Sequence, residues 1–123
     1  MGSEMCIRDR LTGGFVKREQ ACDAVAGGAV DMVGLARAMV LNPRLAEVWL
    51  SEAGGDPDFP VFDLPPRGGV TAWYTMRLSA LAEDQENAFT LDPRSAIRAY
   101  EERDAQRCIQ WREKFLANSG FCN

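Results

Sequence analysis

The segment Ala29–Ala36 restricts the fold more than any other part of the chain, because it is almost continuously apolar over the length of one β-strand. Apolar runs of this length are typical of strands buried on both faces, and such strands occur mostly in parallel sheets. Gly27 and Gly28 end the helical pattern that precedes the run, and another helical pattern begins at Arg37. The run is therefore predicted to be a parallel strand inside a β/α unit.

A second β/α unit precedes this strand. Residues 11–15 have the pattern of a strand end that runs into a glycine turn, and residues 17–26 carry apolar side chains on one face of a short helix. After the apolar run, the helical pattern is interrupted at Pro43 and resumes over residues 44–53. Because strand, helix, strand and helix in this order are the repeating unit of α/β proteins, we expect an α/β fold over residues 11–54.

The rest of the chain is predicted to divide into three segments. Residues 1–10 fit neither a strand nor a helix and resemble a non-native leader, so they are left out of the fold prediction. Residues 55–69 form a linker rich in proline and glycine. Residues 70–123 are a helical C-terminal extension of two helices, the second of which begins at an Asp-Pro pair typical of helix starts. The aromatic residues of this extension have helical spacing and are interpreted as core residues.

Composition narrows the classes of function. The net charge of −4 argues against a nucleic-acid partner, which needs a basic face. There is neither a secretory signal nor an apolar run near the roughly 20 residues that span a bilayer, so we expect no membrane partner, a cytoplasmic location and free thiols. The chain has no histidine, which removes the commonest general base and the commonest metal ligand. We therefore assign no catalytic residue and no metal site.

Two turns are candidates for binding an anion. Gly13 and Gly14 follow the first strand, where glycine lets the backbone approach a ligand and present its amides. Ala36 and Arg37 follow the second strand at the start of a helix, where amides lack helical partners and the dipole is positive. Arg37 adds a permanent charge and paired donors suited to phosphate. Each turn alone is a weak signal, but the pair, one β/α unit apart, predicts a phosphate site.

The sequence around these turns resembles the end of the barrel in the old yellow enzyme family of NADH:flavin oxidoreductases. The resemblance covers residues 11–50 and rests on the motif TGGF at 12–15, GAVDMVGLAR at 28–37 and Asn-Pro at 42–43. It implies that the chain is the C-terminal portion of a (β/α)₈ TIM barrel, with its last two β/α units followed by the helical extension. Such barrels commonly bind phosphate with the loops after strands seven and eight.

The resemblance also implies a cofactor and an activity. In the family, the backbone amides of these two loops hold the phosphate of FMN, which assigns FMN binding to Gly13, Gly14, Ala36 and Arg37. NAD(P)H would reduce the flavin, and the flavin would pass hydride to a small-molecule substrate, an electron-poor acceptor such as an activated alkene. Because the family's catalytic groups lie on earlier strands, we expect this chain to be an inactive fragment of an FMN-dependent oxidoreductase.

Two departures and two alternatives accompany this interpretation. Ala36 stands where many members have glycine, as in the branch of dienoyl-CoA reductases and trimethylamine dehydrogenase. That branch binds a four-iron cluster, but residues 38–107 contain no cysteine, so no cluster is expected here. One alternative is a fragment of another phosphate-binding TIM barrel with a different ligand. The other is a small helical interaction module built from the C-terminal helices.

Overall fold

The structure is a computed structural model that describes residues 8–51 and 54–116, and the chain divides into two compact units. The first unit comprises residues 1–61 and the second residues 62–123. Within the described residues, helices predominate and a single sheet contains two parallel strands. The predicted α/β class is thus confirmed in its coarse form, as a mixed arrangement of helices and parallel strands.

The order of elements in the first unit is the predicted one. The elements are β1 (Arg10–Thr12), α1 (Arg18–Ala26), β2 (Met32–Gly34), α2 (Arg37–Leu41) and α3 (Leu45–Ser51). Both strands are shorter than the apolar pattern suggests, and β1 begins inside the segment interpreted as a leader. Residues 1–7 of that leader, and residues 52–53 of the helix predicted to reach Ala53, lie outside the described residues.

The core of the first unit lies on one face of the sheet. Leu45 is fully buried, and Ala21, Ala38 and Trp49 complete a buried cluster against which Val33 packs. The other face of the strands is open: Met32 is 49% exposed, and Arg10 and Thr12, which the register of the ladder places on the same face, are exposed as well. The prediction that the second strand is buried on both faces is therefore wrong for the described residues, because the described helices cover one side of the sheet.

The second unit contains α4 (Gly69–Ala82), a 3-10 turn (Glu86–Ala88) and α5 (Pro93–Phe115). The Asp-Pro start predicted for the last helix is confirmed, since the Asp92 carboxylate accepts hydrogen bonds from the amides of Arg94 at 2.8 Å and Ser95 at 3.0 Å. The predicted end of this helix near residues 118–120 lies outside the described residues. No described helix is both long enough and apolar enough to cross a bilayer.

Helices α4 and α5 run in the same direction. The first residue of α4, Gly69, lies against the first residue of α5, Pro93, and further along the pair Arg103 donates to Ser79 Oγ at 3.0 Å. The connecting segment returns along α4, where the indole N–H of Trp73 donates to the Leu91 carbonyl at 2.8 Å. Because α5 has 23 residues and α4 has 14, the last turns of α5 extend past the end of α4.

This extension explains why part of the predicted core is at the surface. Residues 105–116, which we call the α5 overhang, are all exposed. Trp111 is 55% exposed and Phe115 is 50% exposed, so their interpretation as core residues is wrong. Helical spacing places both on an apolar face, but α4 ends before it can cover them.

Candidate functional site

The two predicted turns lie side by side at one edge of the sheet. Strands β1 and β2 pair in parallel, with Thr12 opposite Gly34 as the last pair of the ladder. The carboxyl ends of parallel strands meet at the same edge, and neighbouring strands are about 4.8 Å apart. The Gly13–Gly14 turn and the Ala36–Arg37 turn, each leaving its strand just beyond this pair, are therefore brought together.

The glycine turn requires glycine for its backbone conformation. Gly13 has a φ of +104° and Gly14 a φ of +77°, values that residues with a β-carbon rarely adopt. A β-carbon built on either residue would meet no atom within 4 Å, so crowding is not the reason for glycine. Both residues are exposed, which leaves the outer side of the turn open to a ligand.

The side chain of Gln20 holds the backbone that directly follows the glycine turn. The side-chain carbonyl of Gln20 accepts hydrogen bonds from the amides of Val16 and Lys17, both at 3.0 Å. Arg18 ties the start of α1 to α3, because its Nε donates to the Trp49 carbonyl at 2.7 Å. The glycine turn is thus held between a short strand and an anchored helix start, a geometry that the sequence pattern did not reveal.

Gly34 is a third glycine of the site, and the sequence argument gave it no role. A β-carbon built on Gly34 would lie 3.1 Å from Cβ and 3.3 Å from Cγ2 of Thr12, closer than side chains normally pack. Gly34 therefore allows the two strands to approach where the turns begin. A glycine within an otherwise apolar strand is the available sequence signal for such close backbone approach.

The second turn is less favourable to an anion than its sequence suggests. Helix α2 has five residues, so its dipole is small. The amides of Met39 and Val40 both donate to the Ala36 carbonyl, at 3.0 and 3.3 Å, and are not available to a ligand. The turn also carries the Ala36 amide and the exposed side chain of Arg37, which stands at the first position of the helix.

Each of the two turns offers a backbone donor, the amide of Gly14 in the first and the amide of Ala36 in the second. In the described part of the chain, neither amide donates to a protein acceptor. Both residues are exposed, so water satisfies these donors until a ligand replaces it. Two amides and one guanidinium, arranged around the end of a two-stranded ladder, can coordinate one small oxyanion.

Two open clefts formed by described residues lie away from the turns. One, of about 400 Å³, lies at the opposite edge of the sheet, and the other, of about 510 Å³, lies on α3. The first is lined by Arg8, Asp9, Arg10, Asp31 and Met32. The four residues of the candidate anion site, Gly13, Gly14, Ala36 and Arg37, are all exposed at the surface.

The chain gives no match in comparisons with family models, with curated proteins or with solved structures. Within the described residues, no group of three or more Cys, Asp or Glu side chains is arranged to hold a metal ion. Gly13, Gly14, Ala36 and Arg37 remain the candidate binding residues, and the chemistry that they offer is that of anion binding.

Proposed function

We propose that the first unit anchors the phosphate of FMN between its two turns, as part of a cytoplasmic FMN-dependent oxidoreductase similar to the old yellow enzyme family. The observation that carries the proposal is the parallel register of β1 and β2, which sets the two turns side by side. The order of the turns along the chain is that of the phosphate loops in TIM barrels. FMN, when bound, would supply hydride transfer between NAD(P)H and an electron-poor small-molecule acceptor.

The residues of this chain would act only on the phosphate. The amides of Gly14 and Ala36 would donate to its oxygens, and Arg37 would balance its charge. The conformation of Gly13 would turn the backbone so that the Gly14 amide faces the ligand. No described residue is assigned to the flavin ring or to the substrate, so the unit is an anchoring element and not a catalytic one.

Two features of the first unit support its belonging to a larger barrel. The apolar side chains of Leu11 and Met32 are about half exposed, at 50% and 49%, with Met32 on the open face of the sheet and Leu11 on the same face as its pairing partner Val33. The indole N–H of Trp49 is buried without a hydrogen-bond partner among the described residues, which is costly. Further strands and helices packed on this unit would cover the apolar side chains and could provide an acceptor for the indole.

The decisive test compares FMN with riboflavin, which lacks the phosphate. The ¹⁵N-labelled chain is titrated with each, and the amide resonances of Gly13, Gly14, Ala36 and Arg37 are followed by NMR. We expect FMN to shift these resonances with a dissociation constant in the millimolar range, about −4 kcal/mol, and riboflavin to shift none of them. Equal responses to the two flavins, or no response to either, would contradict the proposal.

Two controls make the test specific. Arg37→Ala should abolish the response to FMN, whereas Arg44→Ala, at an exposed arginine of the same unit paired with Glu47, should leave it unchanged. Ribose 5-phosphate distinguishes FMN from other phosphorylated ligands: a stronger response than that to FMN would favour a phosphate-binding barrel of a different specificity.

A further inference from the structure

The α5 overhang carries an apolar face that nothing in the described residues covers. Cys108, Trp111 and Phe115 follow one another at three- and four-residue spacing and therefore share one side of the helix. All three are exposed. Exposed aromatic side chains grouped on one face mark an interaction surface more often than isolated ones do.

Charges of opposite sign lie on either side of this face along the helix axis. On the side of the helix that carries Cys108, Glu101 and Asp104 precede it and Arg112 follows it, whereas Arg103, Arg107 and Glu113 point in other directions. Asp104 and Arg112 lie one helical turn before and one turn after Cys108, on the same side of the helix as the apolar residues. The surface therefore has an acidic half and a basic half that meet at Cys108.

We propose that this surface pairs with the same surface of a second copy of the chain, with the two α5 helices antiparallel and Cys108 at the two-fold axis. An antiparallel pairing around Cys108 sets each Arg112 opposite Asp104 of the second copy. It also sets Trp111, a large side chain, opposite Ala105 of the second copy, a small one. An interface related by two-fold symmetry must be complementary to itself, and these two pairs satisfy that requirement, the first in charge and the second in size.

The acidic half of the surface can take part without losing its contacts inside the chain. Asp104 accepts a hydrogen bond from Arg103 at 3.0 Å, and Tyr100 and Arg107 also lower the pKa of its carboxyl, but its side chain remains 44% exposed and a carboxylate can accept several donors. Arg103 is itself held by Ser79, so it stays in place when Asp104 gains a further partner. The same acidic half disfavours an anionic membrane as the occupant, because Asp104 and Glu101 would face the lipid phosphates.

Sedimentation velocity of the full chain over a range of concentrations tests the association. We expect a monomer–dimer equilibrium that Trp111→Ala weakens by at least about tenfold, as for a central aromatic residue of an interface. Leu50→Ala is the matched control, since Leu50 is 85% exposed in the first unit and should not affect the equilibrium. A chain that stays monomeric up to about 100 µM, a concentration at which weak specific dimers are populated, would overturn the proposal.

Charge exchange tests the antiparallel pairing. Arg112→Asp should weaken the dimer, because it sets two carboxylates opposite each other. The double variant Asp104→Arg with Arg112→Asp should restore it, because each acid again faces a base. Restoration excludes general loss of folding as the cause of the first effect. A double variant that is as monomeric as Arg112→Asp would contradict the pairing around Cys108.

Disulfide cross-linking locates the two-fold axis. Oxidation with diamide should rapidly link a variant that retains only Cys108, with Cys6, Cys22 and Cys122 replaced by serine. A variant that retains only Cys22, which is also free and exposed, is the control and should link slowly. Equal rates for the two variants would count against the proposal, as would binding to anionic vesicles by a chain that does not self-associate.

Discussion

Thr12 and Gly34 face each other as the last pair of the parallel ladder, and the Cβ of Thr12 lies 3.1 Å from the point where Gly34 would carry a β-carbon. The two residues meet where both candidate binding turns begin. The distance between the turns therefore depends on the absence of a side chain at Gly34, although this residue contacts no ligand in the proposal.

Gly34→Ala is expected to destabilise the first unit by about 1–3 kcal/mol, because the added methyl group forces Thr12 to move in a tight contact. Gly55→Ala is the matched control, since a β-carbon at Gly55 meets no atom within 4 Å and should change stability by less than about 0.5 kcal/mol. Urea denaturation of both variants measures the difference. Equal stabilities would show that the strands can separate without cost.

Gly14→Val is expected to lower the free energy of unfolding by about 1–3 kcal/mol, the cost of a β-branched residue at a φ of +77°. The same change should remove the response to FMN, because the amide of residue 14 would turn away from the ligand. Gly55→Val controls for the effect of valine on an exposed loop. Normal stability together with a normal FMN response in Gly14→Val would refute the role given to this turn.

Trp73→Phe is expected to destabilise the second unit by about 1 kcal/mol through the loss of the hydrogen bond from the indole N–H to the Leu91 carbonyl. Most of its apolar contact, including the ring of Phe89 at 5.3 Å, is retained by phenylalanine. Trp111→Phe, on the exposed overhang, should leave the stability of the monomer unchanged. Chemical denaturation at low protein concentration compares the two. An equal loss in both variants would argue against this role of Trp73.

The stability of α5 is expected to fall in acid. The backbone amide of Ser95, then its hydroxyl and the amide of Arg94, lower the pKa of the Asp92 carboxyl below its ordinary value. Because the pKa is lower in the folded state, the stabilisation is complete above the unfolded-state pKa of about 3.9 and is lost as the pH falls through the folded-state value.

Asp92→Asn isolates this effect, because asparagine caps a helix but does not titrate. Thermal melts followed by circular dichroism should show a smaller loss below about pH 4 in the variant than in the parent chain. Asp104, whose pKa is also lowered, mainly by its hydrogen bond from Arg103, is present in both proteins and contributes equally to both. Identical pH profiles would assign the acid sensitivity to other groups.

Local signals predicted local structure well. The Asp92–Pro93 pair placed the start of α5 correctly, because an N-cap depends on the next three residues. The glycine turn after β1 was also found, since the conformation of Gly13 and Gly14 is a property of the backbone at that point. The two turns lie side by side because β1 and β2 are neighbouring parallel strands.

Features that depend on distant residues were not predicted. The exposure of Trp111 depends on where α4 ends and on the direction in which it runs beside α5, and neither can be read from the apolar pattern of α5. The constraint on Gly34 depends on its register with Thr12. The open face of Met32 depends on how many strands and helices pack around it. Each of these three features depends on a segment distant in sequence, and the periodicity of a single helix or strand holds no information about that segment.

The parallel orientation of α4 and α5 has a consequence for how the second unit folds. In an antiparallel helical hairpin, contacts beside the turn close short loops first and the rest follow in sequence. Here the hydrogen bond between Ser79 and Arg103 joins residues that are 24 positions apart in the sequence. The contact between the two helix starts, Gly69 and Pro93, spans the same number of positions. These contacts between the two helices therefore close loops of the same length, so loop-closure entropy favours neither end of the pair as the first to form.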